Sequence, residues 1–253
     1  MLWNGANGNL SACIFINNRA ESNGGAVYWS GINGYLGNSI FNNNVAVGWT
    51  GGAVYWRGSN GVLTSCIFNN NSASNGGGAV NYFAHNCALL NSTFFNNTAP
   101  NGGAIFWNAN NGTLMGSTFI NNIATTSGGA VYWGGANGIL TNSTFTENTA
   151  PNGYGGGIYW HINGANGIVK GCNFISNNAN YGGAVYWGGA NSTMTSCEFT
   201  NNNAIQGHNI YWTWTIPEFL NKYEQLNNYD YVMIRNGTGT PSKTIVLNKK
   251  GIT

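Results

Sequence analysis

Phenylalanine returns at Phe15, Phe41, Phe68, Phe94, Phe119, Phe145, Phe174 and Phe199, at intervals of 26, 27, 26, 25, 26, 29 and 25 residues. Three residues after each stands an Asn (Asn18, Asn44, Asn71, Asn97, Asn122, Asn148, Asn177, Asn202), and five after each an Ala (Ala20, Ala46, Ala73, Ala99, Ala124, Ala150, Ala179, Ala204). Self-similarity at that period restricts the chain to a repeat architecture, in which a unit buries its apolar face only against its neighbours. Two residues before each Phe is a small residue: Cys13, Ser39, Cys66, Ser92, Ser117, Ser143, Cys172 and Cys197. Five before is usually an aliphatic one such as Leu10, Leu36, Leu63 or Leu140. A side-chain period of two puts the small residue and the Phe on one face of a strand.

A second motif, G-G-A-V-Y-W, occupies 24–29, 51–56, 128–133 and 182–187, with variants ending in Phe83, Trp107, Trp160 and Trp212 and a truncated copy ending at Trp3. Its fourth position holds only Val or Ile (Val27, Val54, Val80, Ile105, Val131, Ile158, Val185, Ile210), the restriction expected of a core site. Alternation then places Val and Trp inside and leaves Tyr28, Tyr55, Tyr82, Tyr132, Tyr159 and Tyr186 as an outward row. Gly/Asn turns such as Gly58–Gly61 and Gly135–Gly138 follow. Gly and Asn recur too often for a helix. The chain is therefore expected to be all-β, a parallel β-helix (β-solenoid) of about eight coils forming a rod about 40 Å tall. Like should lie on like: a Phe stack, a Leu stack, a thin Cys/Ser column, and a ladder of inward Asn bonded to one another.

Only 6% of residues are charged, against roughly 25% in ordinary soluble domains, so uncharged amides and hydroxyls must carry solubility. A net charge of +2 without a basic run argues against nucleic acid or an anionic membrane as partner. At 42% hydrophobic, the chain is too apolar to be disordered. It has no apolar stretch of membrane-spanning length and opens without a leader, so it is expected to be part of a longer polypeptide. Residues 1–212 form the repeat domain. Residues 213–253 hold eight of the fourteen charged residues and are expected to be a small α+β cap or linker, with a helix after Pro217 and strands at Tyr231–Arg235 and Ile245–Leu247.

Chemical signals are sparse. His85, His161 and His208 occupy different repeat positions with no Glu or Cys at ligand spacing, so no metal site is expected. Four cysteines fall in the small-residue column and behave as small core residues; stacked Cβ vectors suit a Cys172–Cys197 disulfide poorly. Cys87 lies outside that column, and its state is open. Within the repeats the only acids are Glu21, Glu147 and Glu198, and the only bases Arg19, Arg57 and Lys170. No carboxylate pair or Ser/His/Asp arrangement is evident, and neither a catalytic residue nor a cofactor is expected. The Gly-rich run 153–157 lacks the Lys-Ser/Thr and helix of a phosphate loop. Eight N-x-S/T sequons, at Asn9, Asn70, Asn91, Asn96, Asn111, Asn142, Asn191 and Asn236, would permit N-glycosylation of an exported chain. The outward Tyr row suits contact with sugar rings, and equally suits a ladder that merely stabilises adjacent strands.

The paired motifs G-G-A-V/I and F-x-x-N resemble the repeats of polymorphic outer-membrane autotransporter passengers. The fuller stretch 128–150 is similar to adhesin-like surface proteins of methanogenic archaea. The resemblance covers residues 1 to about 212. It implies a right-handed β-helix, secretion, an extracellular or cell-surface location, and contact with glycans or surface proteins of other cells. The competing expectation is a polysaccharide-active, pectate-lyase-like or carbohydrate-binding β-helix.

Overall fold

The computed structural model describes residues 1–213 and, beyond them, the backbone of strands Asp230–Arg235, Pro241–Asn248 and Gly251–Ile252. The repeats form eight coils, each with four short strands that pair in parallel with the same strands of the coils before and after. In one coil these are Val131–Trp133, Ile139–Thr141, Thr144–Thr146 and Thr149–Tyr154. Four parallel sheets result, named here by their inward residue: Trp, Leu, Phe and Ala. Register is strict, with Phe68 paired to Phe41 and Phe94, Leu63 to Leu36 and Leu89, and Trp133 to Trp107 and Trp160.

Asn abundance is explained at the corners. Among the described residues twenty-two non-glycine residues have positive φ, and most of them are Asn, the residue whose short amide best tolerates the left-handed region. One row (Asn38, Ser65, Asn91, Asn142 and equivalents) turns the chain between the Leu and Phe strands. A second (Asn43, Asn70, Asn96, Asn121, Glu147) turns it between the Phe and Ala strands. A third row, in the Gly/Asn turn, is bonded side chain to side chain on the outside. Asn33, Asn60, Asn86, Asn111, Asn137 and Asn166 each donate Nδ2 to the Oδ1 of the Asn one coil earlier, at 2.9–3.2 Å.

Inside, the Phe rings stack nearly parallel with centroids 4.7–5.2 Å apart, matching the strand spacing. The inward Asn form the expected ladder. Asn97 donates Nδ2 to Asn122 Oδ1 at 3.0 Å and to Phe68 O at 3.1 Å, and its own Oδ1 accepts from Asn71 Nδ2 and from the Asn71 backbone N–H. Every lone pair and proton that burial would orphan is thus used, which lets a fully buried amide stand in an apolar core. The ladder ends where Asn202 donates to Asn209 Oδ1 at 3.0 Å. Ser hydroxyls in the thin column accept from the backbone N–H one coil earlier, as Ser117 does from Ser92 at 3.1 Å.

One expectation is corrected. Register fixes Val80 on Val54 and Ile105, so Asn81 lies on Tyr55 and Phe106, and Tyr82 on Trp56 and Trp107. Tyr82 is therefore not in the outward row: it takes the inward Trp place with 0% exposure, and Phe83, at 54%, begins the turn. Counting back from the aromatic end of V-N-Y-F slips the phase by one, and at period two a slip of one exchanges the faces. Cys87 accompanies the change. Its equivalents Gly61, Gly112 and Gly138 have no room for a Cβ, which would overlap the indole of Trp56, Trp107 or Trp133. Where Tyr82 replaces the indole, the buried thiol of Cys87 fits, although Ser192 shows that a small hydroxyl is also accommodated beside Trp187.

After Trp212 the Trp sheet continues through Asp230–Arg235, joined in parallel at Trp212–Ile234, and then antiparallel through Pro241–Asn248. The helix expected after Pro217 lies outside the described residues. No helix among the described residues is long and apolar enough to cross a membrane.

Candidate functional site

The outward face of the Trp sheet carries one aromatic per coil, interrupted once. Tyr28 and Tyr55 form a short block with centroids 5.0 Å apart, and Arg57 Nη1 lies 3.4 Å from the Tyr28 hydroxyl, which accepts from it. Asn81 breaks the row. It is buried, and its Oδ1 has no protein partner. Phe106, Tyr132, Tyr159, Tyr186 and Tyr211 then form a longer block with centroids 4.6–5.1 Å apart. Of the residues expected from sequence, Tyr28, Tyr55, Tyr132, Tyr159 and Tyr186 stand in the row.

Stacking has a chemical consequence. Rings 5 Å apart and tilted by 23–37° turn their faces toward one another, so interior members such as Tyr159 present edges and hydroxyls to solvent. Burial raises the Tyr132 and Tyr159 phenols above their usual range, and raises that of Tyr55 with help from neighbouring Tyr28.

A second aromatic pair, missed from sequence, stands beside the longer block. Tyr154 and Tyr181 pair in register at the end of the Ala sheet, with rings 5.2 Å apart. Tyr154 meets the row obliquely, 5.0 Å and 69° from Tyr186 and 6.0 Å and 49° from Tyr159, and is 39% exposed. Register puts Ser127 beneath Tyr154 and Gln206 above Tyr181, so the pair is not extended into a column. The signal lay in the residue before the Gly that opens each copy of the G-G-A-V-Y-W motif, which is aromatic only at 154 and 181.

The same coil is also the longest. Its turn runs six residues from Trp160 to Asn166, against four from Trp133 to Asn137; His161 takes the place of Gly134, and exposed Ile162 and Asn163 are the added residues. His161 packs against Tyr132 and Tyr159 at 5.8 and 6.0 Å, accepts the Asn163 N–H on Nδ1, and has its pKa lowered by burial. Insertions in a repeat array commonly gather on its binding face.

Other candidates are scattered. His85 and His208 accept backbone N–H groups elsewhere, Glu147 is a corner residue, and Glu198 lies on a Phe-sheet strand. Among the described residues no three His, Cys, Asp or Glu side chains come together. The five thiols are free; Cys172 and Cys197 stack in the thin column, where their mutual hydrogen bond and burial push the Cys172 thiol up.

No curated protein matches the chain. The family model of the Chlamydia polymorphic membrane protein repeat matches residues 12–28, 65–81, 91–106, 116–132 and 142–159. Each matched stretch runs from the corner before a Phe strand into or up to the G-G-A-V/I strand, so the chain's repeats are similar to that repeat in the segment that builds its Phe and Ala sheets.

Proposed function

We propose that the chain is a non-catalytic surface repeat protein, displayed outside the cell, whose solenoid serves adhesion to glycans or surface proteins of other cells. The outward aromatic face carries this reading. Inward columns hold nearly one residue type each, so recognition falls to outward positions, and aromatic rings flanked by amides and hydroxyls suit sugar and protein surfaces alike. Likeness to the Chlamydia polymorphic membrane protein repeat supports a cell-surface setting, and the resemblance of stretch 128–150 to archaeal adhesin-like proteins supports adhesion. Glu147 and Glu198, in different columns, do not make the paired carboxylates that glycoside hydrolysis uses.

The test is a glycan array and a panel of cell-surface proteins probed with the purified chain, beside lyase and hydrolase assays with and without calcium. Retention without turnover is expected. Metal-dependent cleavage of a polysaccharide would replace this reading with the polysaccharide-active one.

A further inference from the structure

The geometry points to one discrete glycan site on this long face: an aromatic corner made by Tyr154 and Tyr181 against Tyr159 and Tyr186, taking an uncharged pyranose ring on the open face of Tyr154. This rests on the adhesion reading and narrows it to a position and a ligand class. Four observations converge there.

A sugar ring stacks through its C–H face on an aromatic face open to solvent, and most of the outward row has none to offer, because each interior ring is covered at about 5 Å on both sides. Tyr154 differs. Its ring contacts are with Tyr159, Tyr181 and Tyr186, and the coil beneath offers it Ser127 rather than another ring. Its oblique setting against Tyr186 makes a corner, which can hold a ring on one side while phenol hydroxyls address the sugar's rim.

The coil is also lengthened on both flanks of the Tyr159 strand. Ala150 to Gly155 spans five residues, as Ala46 to Gly51 also does, where Ala179 to Gly182 spans three, and the two-residue insertion after Trp160 joins this longer flank only in the Tyr154 coil. Supporting loops of this kind fit a site better than a uniform ladder.

Charge selects the ligand. Residues 58–146, 148–169 and 171–197 contain no Lys, Arg, Asp or Glu, and Glu147 and Lys170 belong to the Phe–Ala corner and the Leu sheet. Nothing at the corner would pair with a carboxylate or sulfate, so an acidic sugar would lose its hydration without compensation. A neutral hexose or N-acetylhexosamine loses little. Trp49, in the loop 47–50 and 59% exposed, is the competing open ring, but among the described residues it has no ring contact with another aromatic and no corner.

The test uses the full chain and saturation-transfer NMR with chitotetraose and cellotetraose as neutral probes, and tetragalacturonate and a heparin tetrasaccharide as acidic ones. At least one neutral probe should bind and neither acidic probe should. Tyr154→Ala should weaken binding about tenfold, Tyr154→Phe should retain it, and Trp49→Ala should leave it unchanged. Tyr154 is a surface ring, and an unchanged circular dichroism spectrum and urea midpoint would show the variant folded. Failure of both neutral probes, preference for an acidic probe, or equal loss in Trp49→Ala would overturn the site. Cell adhesion is scored separately. Adhesion that survives Tyr154→Ala and is not competed by neutral sugar removes the corner and leaves the adhesion reading standing; sugar binding without adhesion does the reverse.

Discussion

The inward and outward faces of the Trp sheet are built from the same three-residue strands, yet they obey different rules. Inward, Val or Ile and an indole repeat coil after coil, and the single replacement, Tyr82, coincides with Cys87 in its own turn. Outward, Tyr gives way to Phe106 and to Asn81. The inner column is closed on all sides, so any change of volume must be answered by a neighbour. The outer row meets its neighbours above and below and, where Tyr154, Tyr181 and His161 touch it, from the side, and most of its rings keep partial exposure. Specification of the fold and freedom for recognition are thus separated by one step along a strand.

The contrast is broken most severely by cutting the inner amide ladder. Asn97→Leu orphans the donors of Asn71 and removes the bonds to Asn122 and Phe68 O, so a loss of about 3 kcal/mol or more is expected, read as a fall in the urea midpoint. The exposed counterpart Asn111→Gly, in the outer ladder, keeps a residue that tolerates its φ of 58° and should cost under about 1 kcal/mol. Equal costs would erase the distinction between the faces.

Volume matching comes next. Tyr82→Trp alone should overpack against Cys87 and cost about 1–3 kcal/mol, whereas Tyr82→Trp with Cys87→Gly restores the pairing of every indole–glycine coil and should recover most of it. Additive costs in the double-mutant cycle would show that the two positions do not answer each other.

Alkaline titration sharpens the same contrast. Burial pushes the Cys66 and Cys87 thiols up to about 11 from 9.0. The unfolded chain therefore releases these protons first: the thiols' contribution is complete below about pH 9 and is lost as pH rises toward about 11. The urea midpoint should decline across that window, and a Cys66→Ser/Cys87→Ser variant should decline less. A flat profile in the parent chain would mean the thiols are not enclosed.

The smallest effect belongs to a corner. Glu147 holds φ 55° where the equivalent corner residues are Asn or Ser, so Glu147→Asn should gain about 0.5 kcal/mol, visible as a small rise in the midpoint.

Much of this could be read before any coordinates, because a solenoid turns sequence period directly into space. Phe, Asn and Ala at fixed offsets became columns, and Val beside Trp became the inner face. Errors arose where offsets were not fixed. Tyr82 was misassigned because V-N-Y-F offers two aromatics where the motif has one inward place. Tyr154 and Tyr181 escaped notice because they precede G-G in a loop of variable length, where no period marks them. Cys87 stayed open because its fit depends on a side chain five residues earlier. The roles of the many Asn were only partly visible: composition suggested solubility and one inward ladder, but left-handed corners and a bonded outer row depend on backbone angles that residue type alone does not declare.

Coil-on-coil stacking is tested most directly by distances between spin labels at equivalent outward positions. Asn42, Thr146 and Thr200 share one Phe-sheet column, with Thr146 four coils and Thr200 six coils beyond Asn42. Pulsed electron resonance on the pairs Asn42→Cys/Thr146→Cys and Asn42→Cys/Thr200→Cys, in a background with native cysteines replaced by Ser, should give separations of about 19 and about 29 Å, a rise of about 4.8 Å per coil. Distances that fail to grow in proportion to coil number would contradict the stacked columns and everything built on them.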